Sequence, residues 1–226
     1  MKKNYEEKIK NDILMAAITL ICFIVYTILV KTVNIGQIEG AASEVGFMDF
    51  NKIFFNAFGF NELFYKLSKY LGFMVFVVVI FFVLMGAFQL FTRKSLKKVD
   101  PEIYGLAGFY AAVFFMYILF EKLVINYRPV IVDADEGLEA SFPSTHTMLA
   151  ICIFSSGIVM LNRYVKNETL RMILTIVFAS LGILIVVFRF LSGVHWATDI
   201  IGGILLSAFL FSLFVLTINY IDSKKN

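Results

Sequence analysis

Residues 172–219 read MILTIVFASLGILIVVFRFLSGVHWATDIIGGILLSAFLFSLFVLTIN. Two apolar runs, 172–190 and 198–219, each reach the length a helix needs to cross the hydrocarbon core, about 20 residues. A short turn around Ser192 and Gly193 separates them, and Arg189, His195 and Asp199 crowd into that junction. Ionisable groups near membrane depth are costly and are functional candidates by default.

The rest of the chain follows the same pattern. Of its 226 residues, 60% are hydrophobic, and the mean hydropathy is +0.84. Soluble domains hold roughly half apolar residues, so a soluble enzyme or binding domain is excluded. Further runs at about 13–30, 70–92, 103–121 and 147–164 bring the spans to six. Backbone polar groups inside a bilayer must be satisfied within the segment, which dictates helices. The expected fold is therefore all-α, a six-transmembrane helix bundle forming one domain over 1–226, with a motif-bearing core at about 70–220. No soluble domain and no internal repeat is evident. The run from Ile13 to Val30 has no small-residue cleavage site behind it and reads as the first span, not a cleaved signal.

Basic residues set the expected topology. With the N-terminus in the cytoplasm, the inner face holds Lys2, Lys3, Lys8, Lys10, Arg93, Lys94, Lys97, Lys98, Arg163, Lys166, Arg171, Lys224 and Lys225, which is 13 of the 20 Lys and Arg. Both termini are then cytoplasmic. The first external loop, about 31–69, carries Phe47, Phe50, Phe54, Phe55, Phe58, Phe60, Phe64 and Tyr65. So aromatic a loop is expected to form an extracytoplasmic interfacial helix between the first two spans. It reads either as a lipid-facing wall beside the site or as a packing element over the bundle.

Three external segments place polar residues at the mouths of apolar helices. They are Lys122-Leu-Val-Ile-Asn-Tyr-Arg128-Pro129, then Pro143-Ser144-Thr145-His146, then Arg189 to Asp199. Ser144 suits the N-cap of the fourth span, and the free N–H groups beside it attract anions. Arg128, Arg189 and Lys122 add fixed cations; arginine offers a fork matched to phosphate oxygens and lysine a compact charge. His195 and Asp199 are four residues apart, a spacing that stacks side chains on one helix face. A carboxylate bonded to one ring nitrogen leaves the other free to attack. His146, the chain's other histidine, can then protonate a leaving oxygen.

These segments resemble the three motifs of the type-2 phosphatidic acid phosphatases, or lipid phosphate phosphatases, a family related in fold to the vanadium haloperoxidases. The family patterns are K-x6-R-P, P-S-G-H and S-R-x5-H-x3-D. The resemblance implies a phosphohistidine on His195, orientation of that ring by Asp199, and leaving-group protonation by His146. It implies phosphate binding by Arg128, Arg189, Ser144, the backbone at Thr145, and Lys122. It implies neither metal nor other cofactor, and as partners a phosphorylated lipid and the bilayer, with no nucleic acid. Three positions depart from the patterns: Glu121 stands at the lysine position with Lys122 one residue closer to Arg128, Thr145 replaces the glycine, and Phe188 replaces the serine.

The substrates consistent with this reading are undecaprenyl diphosphate, phosphatidylglycerol phosphate and phosphatidic acid, with the first favoured by family analogy alone. A lipid phosphotransferase and a non-catalytic phospholipid-binding protein are the rival readings. The acidic stretch Asp133-Ala-Asp135-Glu136-Gly-Leu-Glu139 reads as a solvated loop, with a divalent-ion site or a selector of cationic head groups as its alternative. Cys22 and Cys152 read as two buried thiols, neither a disulfide nor a metal site.

Overall fold

The computed structural model describes residues 2–37, 44–132 and 137–225. Among these the chain forms α1 (Lys2–Thr32), a short antiparallel pair β1 (Gly36–Gln37) and β2 (Glu44–Val45), and α2 (Met48–Phe58). Then follow α3 (Glu62–Arg93), α4 (Pro101–Lys122), α5 (Thr145–Tyr164), α6 (Glu168–Leu191) and α7 (Ala197–Lys225). All but α2 are long and apolar enough to cross a membrane. Their limits follow local chemistry. Asn61 and Asn167 cap α3 and α6 by accepting from the amides of Phe64 and Leu170, and Pro101 opens α4.

The bundle is built around α5. Buried residues make up 61% of its span, against 17% in α1 and α3 and 11% in α6. Helices α6 and α7 pack on α5, and α1 lies along α7. The outer helices show the core only narrow stripes. In α1 the buried apolar residues are Ala16, Phe23 and Val30, spaced by two turns, while Ile13, Leu14, Ile21 and Val25 face outward. Cys22 falls on that outer side and is exposed, whereas Cys152 is buried in α5. The expectation of two buried thiols is therefore corrected for Cys22, because an apolar run in a bilayer helix marks contact with lipid as readily as burial in protein.

Helix α2 covers the bundle at the α6–α7 junction. Its Phe54 and Phe58 pack edge-on to Phe190 at 5.5 and 5.6 Å between centroids, and Phe55 lies 5.6 Å from Trp196. Asn51 is fully buried. Its Nδ2 donates to Gly46 O and to Thr198 Oγ1, both at 3.0 Å, and its Oδ1 accepts from the Thr198 amide at 3.1 Å. Helix α2 is thus a packing element pinned to the first turn of α7, and its opposite face leaves Phe50 and Ile53 exposed.

The end of the bundle that holds Pro143 to His146 depends on one close approach. Gly202 and Gly203 of α7 lie against the segment entering α5. A Cβ on Gly203 would come within 2.8 Å of the Ser144 carbonyl oxygen, and one on Gly202 would run into the Phe142 ring. At the opposite end, Glu102 is buried and accepts from Arg163 (3.3 Å) and Lys225 (2.6 Å), Arg163 grips Asp222 through both terminal nitrogens, and Asn219 donates to Asp12. Gly203→Ala is expected to lower stability by about 1–3 kcal/mol, the usual cost of forcing a methyl into a packed contact. Gly108→Ala, where a Cβ meets nothing within 4 Å, should leave it unchanged. Unfolding midpoints in detergent compare the two.

Candidate functional site

Three stretches of backbone converge above α5 and are bonded to one another. Residues 126–128 pair antiparallel with 139–141, through Arg128 N–H to Glu139 O (3.0 Å), Ser141 N–H to Asn126 O (2.8 Å) and a bridge between Tyr127 and Ala140. The Ser144 amide donates to Asp199 O at 2.9 Å, which fastens the entry of α5 to the first turn of α7. The indole of Trp196 donates to Tyr127 O at 2.8 Å and closes the circuit. Gly193 takes a left-handed turn, φ 66°, and lies so close to Gly59 O that no side chain fits there.

Ser144 is the N-cap of α5. Its Oγ accepts from the Thr147 amide (3.4 Å) and from Thr147 Oγ1 (3.0 Å). The amides of Thr145 and His146 begin the helix and have no acceptor within it. Arg128 and Arg189 are both buried, at 7% and 1% exposure. Among the described residues each is bonded through one terminal nitrogen. Arg128 Nη1 donates to Glu139 Oε1 at 2.8 Å; Arg189 Nη1 reaches Ser68 Oγ at 3.4 Å, with its guanidinium 5.4 Å over the Tyr65 ring. Glu139 is therefore not a solvated loop residue, as expected from the acidic stretch, because the 126–128 pairing carries it onto Arg128. Asp133, Asp135 and Glu136 lie outside the described residues.

His195 sits in the α6–α7 turn, two residues before α7 begins. Its relation to Asp199 is not the helical stacking expected from their spacing. The Asp199 carboxylate folds back to accept from the Trp196 amide at 2.9 Å, and its Oδ2 ends 4.0 Å from His195 Nδ1, beyond hydrogen-bond range. Ser141 fills the gap, with Oγ 2.5 Å from Asp199 Oδ2 and 2.9 Å from Nδ1. Asn126 Nδ2 donates to Asp199 Oδ1 at 3.3 Å. Burial first, then the charges of Arg189, Arg128 and His146, hold the His195 pKa well below the ordinary imidazole value of 6.5.

Among the described residues, the buried side-chain nitrogens and oxygens without a hydrogen-bond partner are Arg128 Nε, Arg189 Nε, His146 Nδ1 and His195 Nε2. A buried polar atom left unpaired costs about 1–3 kcal/mol. Four such atoms, all from residues that the motifs single out, mark a place kept for a ligand. Two arginine N–H donors and a helix N-terminus suit a tetrahedral oxyanion, and a histidine nitrogen on either side suits attack and protonation.

Lys122 does not join this group. It is exposed at the end of α4, and among the described residues no hydrogen bond or ion pair ties it to the site. One residue along a helix turns a side chain by about 100°, and Glu121 is the one that faces α5, accepting from Thr145 Oγ1 at 3.4 Å. Phe188 stacks on Phe64. Ser141 and Asn126 lie inside or beside the motifs and differ from ordinary loop residues only through their contacts. Ser68 and Asn51 reach the site from α3 and α2 and have no signal in the sequence, whereas Tyr65 is one of the aromatics that mark the first loop.

The His195 environment has a measurable consequence. A free imidazole is about three-quarters protonated at pH 6, whereas His195 is expected to remain neutral there. The chain has two histidines, so 15N-histidine NMR with His146→Gln for assignment resolves the titration. The folded His195 refuses a proton that the unfolded one takes, so its contribution to stability falls as pH drops below about 6.5.

No curated protein matches this chain. Among solved structures, a transmembrane PAP2-type phosphatidylglycerolphosphate phosphatase from Bacillus subtilis superposes with a TM-score of 0.63 at 19% identity, over 94% of this chain and 98% of that one. At that identity the likeness is one of fold. The sequence matches the PAP2 superfamily over residues 73–222, a range that takes in all three motif segments. With six membrane-length helices around a buried His, Arg and Asp cluster, and with that match over most of its length, the chain belongs to the PAP2 superfamily.

Proposed function

We propose that this protein is a lipid phosphatase that works through a covalent phosphohistidine. The observation that carries the reading is the set of four unpartnered buried nitrogens. In the first step His195 Nε2 attacks phosphorus. The N–P bond forms as the P–O bond to the lipid breaks, and His146 gives a proton to the departing oxygen. In the second step water attacks the phosphohistidine, His146 takes a proton from it, and inorganic phosphate leaves. Arg128, Arg189 and the first amides of α5 hold the phosphoryl oxygens throughout, where fixed donors stabilise developing charge without reorganising. The reaction on this reading needs no metal.

A cavity of about 290 Å³ between α3 and α4 supports a lipid as the substrate. Phe73, Phe76, Phe114 and Leu149 line it, and His146 and Lys69 stand on its wall. A lipid leaving group beside His146 would have its chain start on apolar surface. Lys69 also favours a diphosphate such as undecaprenyl diphosphate over a phosphomonoester, since a departing phosphate carries charge that a lysine stabilises, and a departing alcohol does not. The distribution of basic residues supports a site that faces the extracytoplasmic side. The specific observation favouring a non-catalytic reading is the Thr145–Glu121 contact, which sets a carboxylate where the family pattern has a lysine.

The test is a phosphate-release screen in detergent with EDTA present, over a polyprenyl diphosphate, phosphatidylglycerol phosphate and phosphatidic acid. At least one lipid is expected to yield free phosphate, with its product analysed for phosphoryl transfer to another lipid. His195→Ala is expected to lower the rate by at least about 10³-fold, as loss of a nucleophile does elsewhere; activity that survives it sinks the assignment. Lys69→Gln should cost roughly tenfold in kcat/KM, about 1.4 kcal/mol, on the diphosphate and little on a monoester.

A further inference from the structure

The triangle of Ser141, His195 and Asp199 contains more information than its distances. Ser141 is buried at 2% exposure, and its hydroxyl carries a single proton that two neighbours compete for. An ionised Asp199 only accepts. Its Oδ2 already takes the Trp196 amide, and its Oδ1 takes Asn126 Nδ2. The short 2.5 Å contact to Oδ2 is therefore where the serine proton goes. Ser141 Oγ then turns a lone pair toward His195 Nδ1 at 2.9 Å, so Nδ1 must carry the hydrogen. A neutral imidazole protonated at Nδ1 has its free lone pair on Nε2, the ring nitrogen that is buried and unpartnered.

We infer that Ser141 is a positioning residue through which Asp199 acts on His195, and that it selects the ring tautomer able to attack. With a 4.0 Å gap between Nδ1 and Oδ2, the carboxylate alone does not fix the ring. The chain also has a polarity. With the Asp199 acceptor removed, the Ser141 proton is free to go to Nδ1, and the hydrogen on the ring moves to Nε2. That tautomer cannot attack phosphorus. When the N–P bond forms in the productive arrangement, positive charge spreads to Nδ1–H, and Ser141 passes the stabilising field of Asp199 to it. The kinetic part of this inference rests on the reading of His195 as nucleophile; the tautomer part does not.

The experiment is a double-mutant cycle over Ser141→Ala and Asp199→Ala with two readouts. Long-range 1H–15N NMR on 15N-histidine protein reads the His195 tautomer directly. The wild type is expected to hold Nδ1–H. Asp199→Ala, which removes the acceptor, is expected to switch the ring to Nε2–H while Ser141 is present, and to change nothing in the Ser141→Ala background. Rates of phosphate release give the second readout. Ser141→Ala is expected to lower kcat by on the order of 10²-fold with KM little changed. Adding Asp199→Ala to it should cost less than about threefold more, since residues that act as one unit are not additive. Ser141→Cys, which keeps a donor and acceptor, should recover part of the rate if the alanine variant fails for reasons of packing. A tautomer that follows residue 199 with Ser141 absent, or losses that multiply, overturns the inference. The NMR readout decides it even where His195→Ala shows the proposed chemistry to be wrong.

Discussion

The hydrogen bond from the Ser144 amide to the Asp199 carbonyl, 2.9 Å long, joins the two helices on which the rest of the site depends. It is possible only because Gly203 presents no side chain to the Ser144 carbonyl. With α5 and α7 locked at this point, the first turn of each helix faces the same small volume. The N-cap of α5, the α6–α7 turn and the stretch leaving α4 then become neighbours. Asn51 of α2 closes the far side by accepting from the Thr198 amide, so the opening turn of α7 is held from two directions.

Charge is the second constraint. Two guanidinium groups are buried close to two imidazoles; among the described residues Glu139 forms an ion pair with Arg128, and Arg189 has no ion-pair partner. A buried guanidinium without a paired anion is costly, so the Arg189 side of the cluster favours a bound oxyanion. Among the described residues each arginine is bonded through Nη1 and keeps a buried, unpartnered Nε for a ligand. Tyr65 adds an aromatic face to Arg189. Burial first, and then the same positive field that invites an oxyanion, hold the His195 pKa below its ordinary value.

Much of this was legible in the linear chain. Hydrophobic length alone located the spans, because a bilayer allows few alternatives to a helix. The concentration of both histidines and both buried arginines at span ends pointed to a single face. What failed to show was anything decided by contact between distant segments. Glu139 looked like one more acid in an acidic stretch until backbone pairing set it on Arg128. The spacing of His195 and Asp199 suggested direct stacking, but His195 precedes α7 and Asp199 turns back to cap its own turn at the Trp196 amide. Cys22 was misread for a simpler reason: an apolar run does not reveal which of its sides meets lipid.

The antiparallel pairing of 126–128 with 139–141 has a consequence for how such a protein diversifies. The pairing closes the base of the segment that joins α4 to α5 and carries Asn126, Arg128, Glu139 and Ser141 on its two short arms. Among the described residues, the four buried unpartnered nitrogens lie on these arms or on the helices and turn beside them. The residues in between can lengthen, shorten or exchange charge while the reactive groups keep their places. Selection for a new head group can therefore act on that segment independently of selection for the reaction, and lineages sharing one mechanism can part company over what they admit to it.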